Sequence, residues 1–423
     1  MSILIKNGQI VLNDKIISSD ILIEGDKIKK IAPSIDTKAA KTIDAKGKTI
    51  MPGFVDMHCH LREPGLEYKE DISSGTKSAA AGGFTSICCM PNTDPVLDNA
   101  ALINYIKYKA REVSKVKVFP IGAITKGLKG QELAEMGKMK QVGAIAVSDD
   151  GRPVDSASLL KNALEYAKGH DILTICHSED STLAHGGFVS EGKNATIAGL
   201  KAIPKSAEDI AVARDCLLAL ETGARVHIAH VSTKTSVDLI RFIKSKGALV
   251  TAEACPHHFA ATDKEILSYN TSAKINPPLR TDEDAAAIID GLVDGTIDAI
   301  ATDHAPHGFD EKRQEFGYAP FGTIGFESAF SIGYTYLVKS KKMTLSHLVK
   351  LMSTNPAKIL KLKCEGIKEG GVADLTIADL NKDYKIDQSK FLTKARNCLF
   401  DGWAVSGKIE CTISDGEIVF DKF

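Results

Sequence analysis

The stretch Asp56-Met57-His58-Cys59-His60-Leu61-Arg62-Glu63-Pro64-Gly65 carries two imidazoles one residue apart. Side chains alternate faces along a strand, so His58 and His60 point the same way while Met57 and Cys59 point the other. The approach Met51-Pro52-Gly53-Phe54-Val55 reads as a turn feeding an apolar, buried strand, and Arg62-Glu63-Pro64-Gly65 ends it. Two imidazoles at the C-terminal end of a strand, facing a loop, can share a metal ion or be a pair of core histidines. The rest of the chain decides between these readings.

Polar residues end other apolar runs in the same way. The runs are Phe54 to His60, Phe84 to Met90, Val116 to Ala123, Ala144 to Asp150, Ile172 to His177, Arg225 to His230, Leu249 to Cys255 and Asp298 to Asp303. At or just past their ends stand His58, His60, Asn92, Asp150, His177, His230 and Asp303. Burying unpaired charge costs several kcal/mol, so these groups require a metal or a dense hydrogen-bond network. Four imidazoles and two carboxylates form an N/O set suited to zinc or manganese, without the thiolates of a structural zinc site. Arg62, two residues beyond His60, leans to the same face and could hold a carboxylate in bidentate fashion, a plain surface arginine being the competing reading.

The elements that must position these groups follow from the same spacing. Between residues 53 and 357, strand-like runs alternate with helix-length segments, the pattern of a parallel sheet. Eight strands with their crossovers predict an α/β fold, a (β/α)8 TIM-type barrel with its site at the C-terminal strand ends. Residues 1–52 carry short strand-like segments, Ile3 to Ile5, Gln9 to Leu12 and Asp20 to Ile23, separated by turns such as Asn7-Gly8 and Gly25-Asp26. Residues 358–423 read alike, with Ala373 to Ile377 and Glu410 to Phe420. Neither end can bury a sheet alone, so both are expected to join in one small β-sandwich domain.

The totals narrow the class. The chain has 423 residues, 43% of them hydrophobic and 25% charged, with a net charge of -1. That balance describes an ordinary soluble protein and suggests neither a nucleic-acid nor a membrane-surface partner. Met1-Ser2-Ile3-Leu4-Ile5-Lys6-Asn7-Gly8 lacks the features of a secretory signal, and no apolar run approaches the roughly 20 residues that cross a bilayer, so a cytoplasmic protein is expected. The nine cysteines include no CxxC and read as reduced core residues. Gly187 to Asn194 nearly spells a phosphate loop but ends on Asn where a hydroxyl is needed. His257 and His258 are adjacent, so at most one faces the mouth, and a structural or supporting hydrogen bond is the expectation. His304 should point away from Asp303's face, and His170, His185, His227 and His347 fall on loop, helical or opposite-face positions.

The strand-one motif with Pro52-Gly53 ahead of it, and the His, His, Asp series behind it, resembles the amidohydrolase superfamily, and within it the type I bacterial dihydroorotases. Further matching stretches are Met90-Pro91-Asn92-Thr93, Ser148-Asp149-Asp150-Gly151, His177-Ser178-Glu179-Asp180, His230-Val231-Ser232-Thr233, Lys274-Ile275-Asn276-Pro277-Pro278-Leu279-Arg280, Ala301-Thr302-Asp303-His304-Ala305-Pro306-His307 and Ala319-Pro320-Phe321-Gly322. The resemblance implies that His58 and His60 bind one metal ion and His177 and His230 the other. Asp150 would bridge both, and Asp303 would ligate the first and act as catalytic acid and base. Many relatives place a carbamoylated lysine on strand four; here Asp149-Asp150 stands there, and Asp150 matches the family position. Two Zn2+ per subunit are implied, with Mn2+ as the alternative.

On the same resemblance, Arg62, Asn92 and His307 hold the substrate's carboxylate, while Asn276, Phe321 and Gly322 hold the ureide edge of its ring. The reaction implied is the reversible closure of N-carbamoyl-L-aspartate to L-dihydroorotate and water, a step of de novo pyrimidine (UMP) biosynthesis. A homodimer is implied as well, and aspartate transcarbamoylase is the protein partner to test. The glycine-containing stretch from His307 to Gly325 is the loop expected to move. Other cyclic-amide hydrolases, such as hydantoinases, are the rival class, and a metal-free scaffold is a second.

Overall fold

The structure, a computed structural model, describes residues 2–12, 15–363 and 366–423. All eight apolar runs form parallel strands, trimmed at their ends: Phe54–Cys59, Phe84–Cys89, Lys117–Pro120, Ala146–Ser148, Leu173–Cys176, Val226–Ile228, Val250–Ala254 and Ala299–Ile300. The first three pair side by side in one sheet and the remaining five in another. Single parallel bridges join the two sheets at both seams, Gly122 with Val147 and Cys59 with His304. Backbone hydrogen bonds cross the seams as well, from Ser148 N to Gly122 O at 2.8 Å and from His60 N to His304 O at 2.9 Å.

Helices fill the connections, among them Ile72–Ala81, Ala100–Val113, Ala157–Gly169, Ser206–Thr222, Lys234–Ser245 and Asp282–Asp294. Their starts are set by local chemistry: Asp71 and Ser74 form a reciprocal capping box, as do Thr281 and Asp284, while Ser156 and Thr233 cap by hydroxyl. A large apolar cluster lies between strands and helices. A second cluster includes Val55, Met57, Cys88, Met90, Ile121, Ala146, Leu173, Ile175, Ala229, Ala299 and Ala301, from seven of the eight apolar runs. On four strands its alternation continues into Asn92, Asp150, His177 and Asp303, so the polar set caps an apolar column.

Strand one departs from strict alternation. Met57 lies in the same cluster as Val55, and the pairing with strand two shifts register between Asp56 and Cys59, which lets His58 and His60 follow Met57 toward the column's top. His230 is brought round by a left-handed backbone, φ 34°.

The chain ends join in one eight-stranded sheet ordered Glu417–Asp421, Ala404–Ser414, Leu375–Lys385, Thr49–Pro52, Ser2–Leu12, Lys15–Glu24 and Lys27–Ala32, with Lys41–Asp44 also beside Ser2–Leu12. The expected sandwich is thus one continuous hydrogen-bonded sheet. Ile3, Ile5, Ile21, Ile23, Leu375, Ile377, Cys411 and Ile413 share its own apolar cluster, so both halves of the sheet cover one core. Met51-Pro52 is strand rather than turn, with Pro52 opposite Leu375. Asn7-Gly8 is a bulge inside one long strand rather than a turn between two. Asn7 adopts φ 62° and ties its amide to Asp44 at 2.9 Å, and a side chain at Gly8 would meet Ile50 at 2.4 Å.

Eight cysteines are buried free thiols; the ninth, Cys364, lies outside the described residues, as does Met1. Among the described residues, no helix is long and apolar enough to cross a membrane.

Candidate active site

The four imidazoles and two carboxylates converge. His58 Nε2 lies 3.3 Å from Asp150 Oδ1 and 3.6 Å from Asp303 Oδ1; His60 Nε2 lies 3.0 Å from Asp303 Oδ1 and 3.5 Å from Asp150 Oδ2. His177 Nδ1 and His230 Nε2 stand 3.4 and 3.6 Å from Asp150 Oδ1, and 2.9 Å from each other. Asp150 is therefore the central group. All six side chains are buried, yet His58 Nε2 and Asp150 Oδ1, which face each other at 3.3 Å, have no hydrogen-bond partner. Buried polar atoms are normally satisfied, so orphaned atoms on converging ligand-type residues fit a bound cation. Two groupings have ion-binding proximity here, His58 with His60 and Asp303, and His58 with Asp150 and His230.

Burial pushes both carboxyls up, but the His58 imidazole and its neighbours outweigh it and hold Asp150 and Asp303 below the usual carboxylate range. Asp303, like Arg62, has a left-handed backbone, φ 44° and 63°, conformations that side chains other than glycine adopt at some energetic expense. Asp149, the other carboxylate of the pair, faces away: it accepts from Ile124 N at 2.7 Å, Thr125 N at 3.0 Å and the Thr125 hydroxyl.

A cavity of about 180 Å³ opens over the cluster, lined by His60, Arg62, Asn92, Asp150, Gly151, His177, His230, Asn276, Asp303, Ala305, His307, Phe321 and Gly322. Every residue of the sequence-based set except His58, which lies beneath, lines this one cavity. Arg62 Nε donates to Pro306 O at 3.0 Å, and no carboxylate among the described residues forms an ion pair with the guanidinium. His307 Nε2 donates to Phe321 O at 2.7 Å, and burial together with the Arg62 and Lys69 cations pushes its pKa far down, so the ring is neutral. Asn92 accepts from His60 Nδ1 at 2.9 Å and turns its amide nitrogen to within 3.4 Å of Asp150 Oδ2. Asn276 Oδ1 is buried without a partner.

The backbone of Phe321 and Gly322 is already engaged. Phe321 O takes His307, Gly322 N donates to Lys274 O at 2.8 Å, and Gly322 O accepts from Lys312 Nζ at 3.0 Å and Asn397 at 3.1 Å. These two residues form a wall of the cavity. Lys274 Nζ also donates to Gly317 O at 2.8 Å, and burial pushes Lys274 and Lys312 down to about 8 and about 7.

Buried polar groups outside the sequence-based set surround the cluster. Asp56 binds Thr302 N at 3.0 Å, the Thr302 hydroxyl at 2.5 Å and His58 N at 3.2 Å, tying strand one to strand eight. Glu253, in mid-strand seven, lies 2.8 Å from His58 Nδ1 and 3.2 Å from His227 Nε2. His227, expected at a loop, helical or opposite-face position, sits inside against Glu253. A lone carboxylate within Val250-Thr251-Ala252-Glu253-Ala254-Cys255 was the available signal. His304 points away, toward Gly325 N, Phe326 N and Glu70. His257 and His258 are both buried beside Cys255, within ligand distance of one another; His258 donates to Pro277 O at 2.9 Å, supporting the segment that carries Asn276.

A family model described as dihydro-orotase-like matches residues 47–236. The dihydroorotase of Caldicellulosiruptor saccharolyticus is 53% identical over 421 residues, 99% of this chain and 98% of that one. The dihydroorotase of Acetivibrio thermocellus is 52% identical over 95% of this chain and 94% of that one. Among solved structures, the L-hydantoinase (dihydropyrimidinase) of Arthrobacter aurescens superposes with a TM-score of 0.90 at 28% identity, covering 99% of this chain and 96% of that one.

Proposed function

The chain belongs to the dihydroorotase family, and from that premise we propose that it catalyses the reversible closure of N-carbamoyl-L-aspartate to L-dihydroorotate and water, within pyrimidine biosynthesis. The observation that carries the reading is a buried guanidinium without a carboxylate partner, Arg62, in the same cavity as a His4Asp2 cluster. An uncompensated buried cation calls for an anionic ligand, and both substrate and product carry a carboxylate.

The cluster fits a pair of divalent ions, Zn2+ first and Mn2+ as the alternative. His58, His60 and Asp303 would hold one, His177 and His230 the other, with Asp150 between them. When bound, such a pair supplies Lewis-acid polarisation of a carbonyl and acidifies water at neutral pH.

The chain's own groups do the rest. Arg62 anchors the carboxylate, with the Asn92 amide nitrogen and the His307 side of the cavity completing that end. Asn276 Oδ1, lacking a partner, accepts an N–H of the ureide, and the Phe321-Gly322 wall limits the ring's position. Asp303, ionised and facing the cavity, takes a proton from the attacking water and delivers it to the departing ring nitrogen. In the closing direction it takes the ureido proton and returns it to the departing water. Burial of the cluster on rigid strand ends excludes competing water and keeps these groups aligned.

The parallel strands, bridged at both seams, support one closed (β/α)8 barrel over residues 53–357, with 1–52 and 358–423 forming the second domain. We extend the reading to a cytoplasmic homodimer, with aspartate transcarbamoylase as a partner; sedimentation of the chain alone and mixed with that enzyme tests both.

The hydantoinase-like superposition makes a cyclic-amide hydrolase without carboxylate recognition the rival. Parallel assays of dihydroorotate, hydantoin and dihydrouracil on zinc-loaded protein decide it. Turnover of dihydroorotate alone is expected, and preference for either neutral ring would overturn the assignment.

A further inference from the structure

We propose that Glu253 is a positioning residue that makes the His58, His60 and Asp303 pocket the tighter of two metal positions; the inference rests on the two-metal reading above. Glu253 is fully buried. Its Oε1 lies 2.8 Å from His58 Nδ1, its Oε2 lies 3.2 Å from His227 Nε2, and His227 Nδ1 lies 2.8 Å from Thr251 Oγ1. An ionised carboxylate only accepts hydrogen bonds, so each imidazole turns an N–H toward it, and the Thr251 hydroxyl donates to the remaining His227 nitrogen. Every donor in the chain from Thr251 through His227 to Glu253 runs the same way.

His58 then carries its proton on Nδ1 and presents a bare Nε2 to the cluster. That atom is the one without a hydrogen-bond partner, 3.3 Å from Asp150 Oδ1 and 3.6 Å from Asp303 Oδ1. A carboxylate behind a ligating imidazole fixes its tautomer and strengthens its donation. The other three lack such backing among the described residues. His60 Nδ1 faces the neutral Asn92 amide at 2.9 Å, His177 Nε2 has the Asn276 amide nitrogen at 3.5 Å, and His230 Nδ1 has no partner. A carboxylate serving only to accept from His227 would not place its second oxygen on His58. The asymmetry therefore falls on the ion held by His58.

The test compares zinc-loaded wild type with Glu253→Gln, which preserves size and an acceptor oxygen but removes the charge, in a chelator titration followed by metal analysis. Expected is a loss of affinity of about 10- to 100-fold for one of the two ions, in the same phase that His60→Asn removes, with the other ion unchanged. Equal weakening of both ions, or of neither, with two ions in the wild type overturns the inference and leaves the function standing. Wild type that binds no zinc overturns both. A second measurement needs no variant: in zinc-loaded protein carrying 15N-histidine, His58 is expected to show its N–H at Nδ1, and a proton on Nε2 overturns the proposal.

Discussion

The Arg62 guanidinium and the His307 imidazole meet 3.4 Å apart at the cavity wall, and neither supplies what the other needs. His307 Nε2 donates to Phe321 O, so it has no lone pair to offer Arg62 there, and the terminal nitrogens of Arg62 are left for a ligand. An anion in the cavity would find a preoriented fork, held by Pro306 O at Nε and by a neutral ring beside it.

Arg62→Met should therefore abolish recognition without disturbing the cluster below. Removing one partner of a buried, hydrogen-bonded charge pair costs about 2 to 5 kcal/mol, so kcat/KM for dihydroorotate should fall by about 30- to several-thousand-fold. Zinc content measured on the purified variant should match wild type. Unchanged kinetics would remove Arg62 from the site.

Asp303→Asn separates proton transfer from anchoring. A positioned acid or base contributes about 100- to 10,000-fold, so kcat should drop by at least the lower figure while KM, set by Arg62, moves far less. Asn cannot shuttle the proton between water and the ring nitrogen. A variant that kept a tenth of wild-type kcat with saturating zinc would assign the proton transfer elsewhere.

Most of this site was legible because polar residues at the ends of apolar runs are energetically anomalous wherever they occur. Asp150, His177 and Asp303 continue a period-two column that periodicity can find. His230 could not be placed that way: its inward turn depends on a left-handed backbone, and the neighbour that follows the column is Ala229, with His227 below. Glu253 gives no such signal, because it lies inside the strand-seven run, which ends on Cys255. His58 and His60 join the face that Val55 and Met57 share through a register shift that alternation cannot anticipate. At the chain ends, Asn7-Gly8 carries the chemistry of a turn, and the same left-handed preference built a bulge instead.

Gly322→Ala tests the cavity wall. Gly322 has φ 135°, and an added Cβ would lie 2.8 Å from the Ala305 side chain, 2.9 Å from Ala305 O and 3.1 Å from His307 Nε2. The strain, about 1 to 3 kcal/mol, must be relieved by moving the wall or His307. KM for dihydroorotate should rise about tenfold or more with zinc content intact, and an unchanged KM would show that the wall does not limit the ring.

Stability should respond to pH through a carboxyl remote from the catalytic cluster. Glu327 opens the helix Phe326–Gly333 and accepts on one oxygen from Ser78 Oγ at 2.8 Å and Leu392 N at 2.7 Å. Burial pushes its pKa from 4.5 up to about 7, against the lowering effect of those hydrogen bonds. Between pH 4.5 and 7 the folded protein then holds a proton that the unfolded chain has released. This contribution is fully present below pH 4.5 and is lost as pH rises through 7. Glu327→Gln keeps the accepting oxygen and cannot ionise, so its advantage over wild type should grow from near zero at pH 4.5 to about 1 to 3 kcal/mol at pH 8. Denaturant melts of the zinc-loaded proteins at the two pH values measure it. An offset that is the same at both pH values would mean that the substitution acts through packing, and Glu327 would be ionised throughout.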